Sequence, residues 1–130
     1  MDLMEYSGRA GIVTGAGSGI GAASARRLAL AGAKVAVGDL DIIAAEKVAR
    51  EIRDAGGDAE PLVVDVADQA SIDAFVSAAV ETLGPLTFAH VNASTMVPGG
   101  DLLEMSVEQW DFTFAVNCRI SFRSYRIASR

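Results

Sequence analysis

The feature that most narrows the fold lies between residues 11 and 31. An apolar run, Gly11 to Thr14, enters a turn that carries Gly15, Gly17, Gly19 and Gly21, and the turn opens into an alanine-rich stretch reaching about Ala31. The run reads as a strand and the stretch as a helix. A glycine turn between them lets backbone amides approach a bound group closely, and the positive end of the helix dipole favours an anion there. Glycines alone describe any tight turn. The strand–turn–helix setting is what directs this one toward a diphosphate. A side chain at Gly15 or Gly19 is expected to hold the phosphates away.

The same alternation continues along the chain. Gly32 follows the first helix as a C-cap, and Lys34 to Asp39 reads as a second strand through Val35 and Val37. Asp41 can cap the next helix, whose Ile42, Ala45, Val48, Ala49 and Ile52 share one face and which Gly56 and Gly57 end. Ala59 to Asp65 is a third strand, with Leu62, Val63 and Val64 consecutive as in a strand buried on both faces. Ile72, Phe75, Val76, Ala79 and Leu83 mark another amphipathic helix, stopped by Gly84 and Pro85. Leu86 to Val91 is a fourth strand. After a segment containing Pro98, Gly99 and Gly100, Ser106 and Gln109 form a capping box that opens a last helix running toward Arg130. Strands alternating with helices predict an α/β fold: a parallel, doubly wound sheet in three layers, with helices on both faces.

Charge and composition exclude several classes of function. A net charge of −6 and a pI near 4.6 argue against the basic face that a nucleic-acid partner requires. No apolar run is long enough to span a bilayer, and the N-terminus lacks the pattern of a signal peptide. With one cysteine, Cys118, no intramolecular disulfide can form, so a reducing, cytoplasmic location is the default. Cys118 itself is expected to pack in the core, and His90, the single histidine, to be a packed or hydrogen-bonded residue of the fourth strand rather than a base.

Asp39 closes the second strand, 20 residues after Gly19. A dinucleotide fold places there the acid that accepts hydrogen bonds from the adenosine ribose hydroxyls. The alternatives are a solvated loop aspartate or a helix cap, although Asp41 is available for capping. A carboxylate at this point repels a 2′-phosphate. No Arg or Lys lies in the glycine turn or just after Asp39, which favours NAD over NADP.

Thr14, Gly15, Gly19 and Gly21 match the Thr-Gly-x-x-x-Gly-x-Gly turn of the short-chain dehydrogenase/reductase family, and the chain resembles that family throughout its 130 residues. Asp65-Val66 matches the acid-plus-apolar pair that flanks the adenine in the family. Asn92-Ala93 matches the middle of its Asn-Asn-Ala-Gly motif, with Val91 and Ser94 as departures. Trp110 precedes Asn117 at the family spacing. The resemblance implies a Rossmann fold with strand order 3-2-1-4, forming one NAD(P)-binding domain over residues 1–130 that is incomplete at its C-terminal side. It implies cofactor contacts from Gly15, Ser18, Gly19, Ile20 and Gly21, from Asp39 and Leu40, and from Asp65, Val66, Asn92 and Ala93. It also implies a catalytic role for Asn117, whose family counterpart supports a water chain to an active-site lysine; an ordinary helix asparagine bonded to the backbone is the other reading.

The family's chemistry further uses a serine and a Tyr-x-x-x-Lys pair, in which the lysine lowers the pKa of the tyrosine that exchanges a proton with the substrate oxygen. Tyr125 does not supply this pair, because Ser129 stands four residues on, and the two lysines, Lys34 and Lys47, belong to early elements. The residues of that pair are therefore expected beyond Arg130. The resemblance implies an NAD-dependent oxidoreductase of small-molecule alcohols or ketones, working as a homo-oligomer without nucleic-acid or membrane partners. A non-catalytic dinucleotide-binding module is the alternative. Two further expectations concern surfaces. The fourth strand would be an apolar sheet edge, a template for association. Arg119, Arg123, Arg126 and Arg130 would form one helical face, read either as a solvated stripe or as a subunit contact.

Overall fold

The computed structural model describes residues 5–95 and 101–120. Its elements run β1 (Ala10–Thr14), α1 (Gly19–Leu30), β2 (Lys34–Asp39), α2 (Ile42–Asp54), β3 (Asp58–Val63), α3 (Gln69–Leu83), β4 (Leu86–Val91) and α4 (Val107–Phe114). A 3-10 turn, Leu102–Glu104, precedes α4, and a π-helical segment, Ala115–Ile120, continues it. The four strands form one parallel sheet in the order β3-β2-β1-β4, as the resemblance implied.

Strand alternation divides the core in two. Val13, Val35 and Val37 point to the α1 and α2 side, where Ala25, Ala45, Val48 and Ile52 meet them. Ile12 and Ala36 point to the other face and pack with Ile72, Phe75, Val76 and Ala79 of α3. All five residues of β1 are buried, because β1 is paired on both edges and covered on both faces. The expected helical stripe of α3 is buried at every one of its positions, Ile72, Phe75, Val76, Ala79 and Leu83. Small residues let α1 sit close to the sheet. Gly21, Ala22, Ala25 and Ala29 are its buried positions.

The caps also follow the sequence pattern. The Asp41 carboxylate accepts from the Ile43 and Ala44 amides at the start of α2. Ser106 and Gln109 form a reciprocal capping box at the start of α4.

Three expectations need correction. The third strand is not buried on both faces: Val63 is 57% exposed. Among the described residues β3 pairs only with β2, at the edge of the sheet, and a proline at position 61 suits an edge position. Val64 is buried, but it lies just past the strand, in the α3-side core. Cys118 is exposed rather than packed, because α4 buries none of its residues and the π segment beyond it buries only Val116 among its described side chains. The last helix is α-helical only to Phe114, after which it widens to π geometry.

His90 is a half-buried residue of β4, in register with Val13. β4 pairs with β1 alone and forms the second sheet edge among the described residues. Of the arginine stripe, Arg123, Arg126 and Arg130 lie outside the described residues, as does the side chain of Arg119. No described helix is long and apolar enough to cross a membrane.

Candidate cofactor site

A parallel sheet gathers the C-terminal ends of its strands, and the loops that follow them, along one rim. Here the ends of β1, β2 and β4, with the segment after β3 and one face of the last helix, border an open cavity of about 650 Å³.

Thr14, the last residue of β1, is only 2% exposed and lies next to Gly15 of the cavity lining. Its hydroxyl Oγ1 accepts from the backbone amides of Asn92 and Ala93, each at 3.1 Å. The Asn92 side chain answers by donating its Nδ2 to the Thr14 carbonyl at 3.2 Å and to that of Gly15 at 3.4 Å. These bonds fasten the end of β4 to the glycine turn, just past the Thr14–Val91 register pair of the sheet.

Gly15 adopts φ +65°, a left-handed conformation that L side chains rarely take. A Cβ there would lie 3.0 Å from the Ala93 Cα, so the neighbouring backbone restricts this position before any ligand does. This constraint from the fold stands beside the expectation that a side chain at Gly15 holds phosphates away. Gly19, at φ +53°, would meet nothing within 4 Å. Space is open there for a ligand. Gly21 does not line the cavity. A Cβ on it would overlap the Gly15 carbonyl, so its role is to let α1 close against the turn.

Ser18 is the N-cap of α1, but its side chain makes no capping bond. The first amides of α1 are thus left without a side-chain cap beside the cavity. Such amides, with the helix dipole behind them, form an anion site. Ser18, Gly19 and Ile20 all line the cavity.

Asp39 and Leu40 line it from the end of β2. The Asp39 carboxylate accepts from the Gly17 amide through Oδ2 at 2.8 Å and from the Asp41 amide through Oδ1 at 3.0 Å. Asp39 is therefore more than a solvated loop acid: it ties the glycine turn to the start of α2. Gly17 was not among the expected site residues. Its signal is steric, since a Cβ would stand 2.8 Å from both Asp39 Oδ2 and Ala44 Cβ. Asp65 and Val66 line the cavity after β3. The Asp65 amide donates to Ser71 Oγ at 2.8 Å, and Asp65 Oδ1 accepts from the Ala67 amide at 2.9 Å. Ser94 and Thr95, and Phe112 and Val116 from the last helix, complete a wall that sequence reasoning missed.

Asn117 stands one residue past Val116, in the π segment, and is outside the cavity lining. Its Oδ1 accepts from the Thr95 amide at 2.8 Å, and its Nδ2 donates to the Thr95 carbonyl at 2.7 Å. The side-chain amide thus pairs with one residue's backbone in both directions and anchors the segment after β4 to the last helix. Seven residues earlier, Trp110 packs against Phe114 with ring centroids 4.7 Å apart.

The sequence profile described as short chain dehydrogenase matches residues 9–130. The chain belongs to that family. Among its short chain dehydrogenase relatives, the 2,5-dichloro-2,5-cyclohexadiene-1,4-diol dehydrogenase LinX of Sphingobium indicum is 43% identical over 124 residues, covering 95% of this chain and 49% of the relative. The 2,3-dihydro-2,3-dihydroxybenzoate dehydrogenase of Bacillus subtilis is 34% identical over 130 residues, 100% of this chain and 49% of its own length. A dehydrogenase/reductase from Sinorhizobium meliloti superposes with a TM-score of 0.91 at 38% identity, covering 99% of this chain and 51% of that one. The chain spans about half the length of the curated relatives it matches.

The family binds nicotinamide dinucleotides, and the residues present fit such a group. The turn leaves open space at Gly19, the helix start is free of a side-chain cap, and a carboxylate stands one strand away.

Proposed function

We propose that the protein is an NAD-dependent oxidoreductase, with residues 1–130 forming its dinucleotide-binding domain. One observation carries this reading: Asp39, on the rim of the cavity, is tied by hydrogen bond to the glycine turn that starts α1. A diphosphate held by the first amides of α1 brings a ribose within reach of a carboxylate fixed in this way. The remaining lone pairs of Asp39 accept from the two ribose hydroxyls. A 2′-phosphate in their place meets a negative charge instead, and no Lys or Arg lies in the turn to offset it.

When bound, the nicotinamide supplies hydride transfer to or from a carbon bearing a hydroxyl or carbonyl group. The chain's own residues bind and orient. Gly15, Ser18, Gly19 and Ile20 hold the diphosphate; Asp39 and Leu40 hold the adenosine ribose. Asp65 and Val66 flank the adenine, and Asn92 and Ala93 support the cofactor from the end of β4. Asn117 fixes the wall beside it through Thr95.

Both curated relatives named above are, by name, dehydrogenases of ring diols. A secondary alcohol on a six-membered ring is accordingly the first substrate class to test. The experiment is a paired titration with NAD and NADP, followed by turnover of ring alcohols with the preferred cofactor. Tighter binding of NAD with alcohol oxidation supports the proposal. Tighter NADP binding overturns the role given to Asp39. Residues 1–130 hold no Tyr-x-x-x-Lys pair and are expected to bind without turnover, so the turnover arm uses a form that carries that pair; if it binds NAD and turns over no alcohol or ketone, a non-catalytic dinucleotide module is favoured.

A further inference from the structure

We propose that Phe112 is an adenine-stacking residue of this chain, covering the purine from the last helix. The inference rests on the dinucleotide reading above and adds to it a wall contributed by an element outside the glycine turn and the strand ends.

Phe112 and Val116 are one helical turn apart and both line the cavity. They differ in burial. Val116 is buried, whereas Phe112 is 50% exposed. Its neighbours Trp110 and Phe114 pack against each other, and Phe112 has no ring partner among the described residues. An aromatic side chain left half in water on a cavity wall loses the hydrophobic stabilisation that a flat ligand would restore.

The cavity's other large exposed apolar side chains include Leu40, 69% exposed at the end of β2 and next to the carboxylate assigned to the adenosine ribose. Asp65, with Oδ1 engaged by the Ala67 amide, retains acceptor capacity on the same lining. An uncharged flat ring carrying an exocyclic amine suits this combination of two apolar surfaces and one acceptor. Adenine is the part of the dinucleotide with that chemistry, and it attaches to the ribose next to Asp39.

The test is calorimetric titration of ADP-ribose and of uridine diphosphate ribose into the protein and its Phe112→Ala, Phe112→Leu and Phe112→Tyr variants. Stacking on one aromatic side chain predicts ADP-ribose binding about tenfold weaker in Phe112→Ala, partly recovered in Phe112→Leu and fully in Phe112→Tyr. The loss should be larger for the purine ligand than for the pyrimidine one. Saturation of the Phe112 ring protons should transfer to the purine protons of bound ADP-ribose.

If the wild type binds ADP-ribose and Phe112→Ala binds it within about twofold, the stacking role is wrong and the dinucleotide reading stands. Equal losses for both ligands, without ring-to-purine transfer, make Phe112 a structural residue and also overturn the inference. If the wild type binds no ADP-ribose, the dinucleotide reading itself fails and this inference fails with it.

Discussion

The carboxylate of Asp39 accepts the amide of Gly17 at 2.8 Å, across 22 residues of sequence. This bond joins the turn after β1 to the end of β2. Under the proposed function this one side chain has two tasks, holding the turn in shape and presenting an acceptor to a ribose. Replacing Asp39 by Ala should therefore alter both. NAD affinity falls, the preference over NADP disappears, and stability drops by about 1–2 kcal/mol as the Gly17 and Asp41 amides lose their acceptor. Paired calorimetric titrations and urea unfolding of the cofactor-free protein measure the two effects separately. A change in cofactor preference with no change in stability would show that the bond to Gly17 contributes nothing to the fold.

Thr14 is buried, and its hydroxyl accepts two amides at the end of β4. Thr14→Val keeps the shape and removes the acceptor, leaving two part-buried donors unpaired. A loss of about 2 kcal/mol is expected, since each unsatisfied buried group costs on the order of 1–3 kcal/mol. Thr14→Ser restores the hydroxyl and most of the stability. Hydrogen exchange at the Asn92 and Ala93 amides should speed up in the valine variant alone.

Much of this architecture was legible in the sequence because local patterns report local structure. The stripe of α3 is decided by a 3.6-residue period, and the caps at Asp41 and Ser106 by side chains that reach only two or three residues ahead. Most of the expected cofactor residues, from Gly15 to Ala93, do line one cavity, since strand order brings their loops together. Periodicity failed where burial depends on neighbours far along the chain. Leu62, Val63 and Val64 read as a doubly buried strand, yet β3 is an edge and Val63 faces solvent. Cys118 stands in an apolar stretch that the last helix leaves exposed. The bond from Gly17 to Asp39 and the wall from Phe112 depend on packing between elements, which no spacing rule encodes.

Asn117 and Thr95 make a reciprocal pair of hydrogen bonds, at 2.8 and 2.7 Å. Asn117→Asp keeps the acceptor and loses the donor; Asn117→Leu loses both. The leucine variant should cost about 1–2 kcal/mol and the aspartate variant about half as much. The Thr95 amide should exchange faster in Asn117→Leu and remain protected in Asn117→Asp. Equal protection of Thr95 in all three proteins would remove Asn117 from its anchoring role.

The central claim is that the first amides of α1 grip a diphosphate while a carboxylate one strand over holds the sugar. Gly19 tests it most directly, because a Cβ there would meet nothing within 4 Å apart from its chain neighbours and the helix's own first turn, and it faces the space assigned to the bound group. Calorimetric titration of NAD into the Gly19→Val variant should show affinity reduced by at least about a hundredfold. The fold should persist at a cost of about 1–2 kcal/mol for a side chain forced into left-handed backbone. Unchanged NAD affinity in a folded Gly19→Val protein would contradict the account.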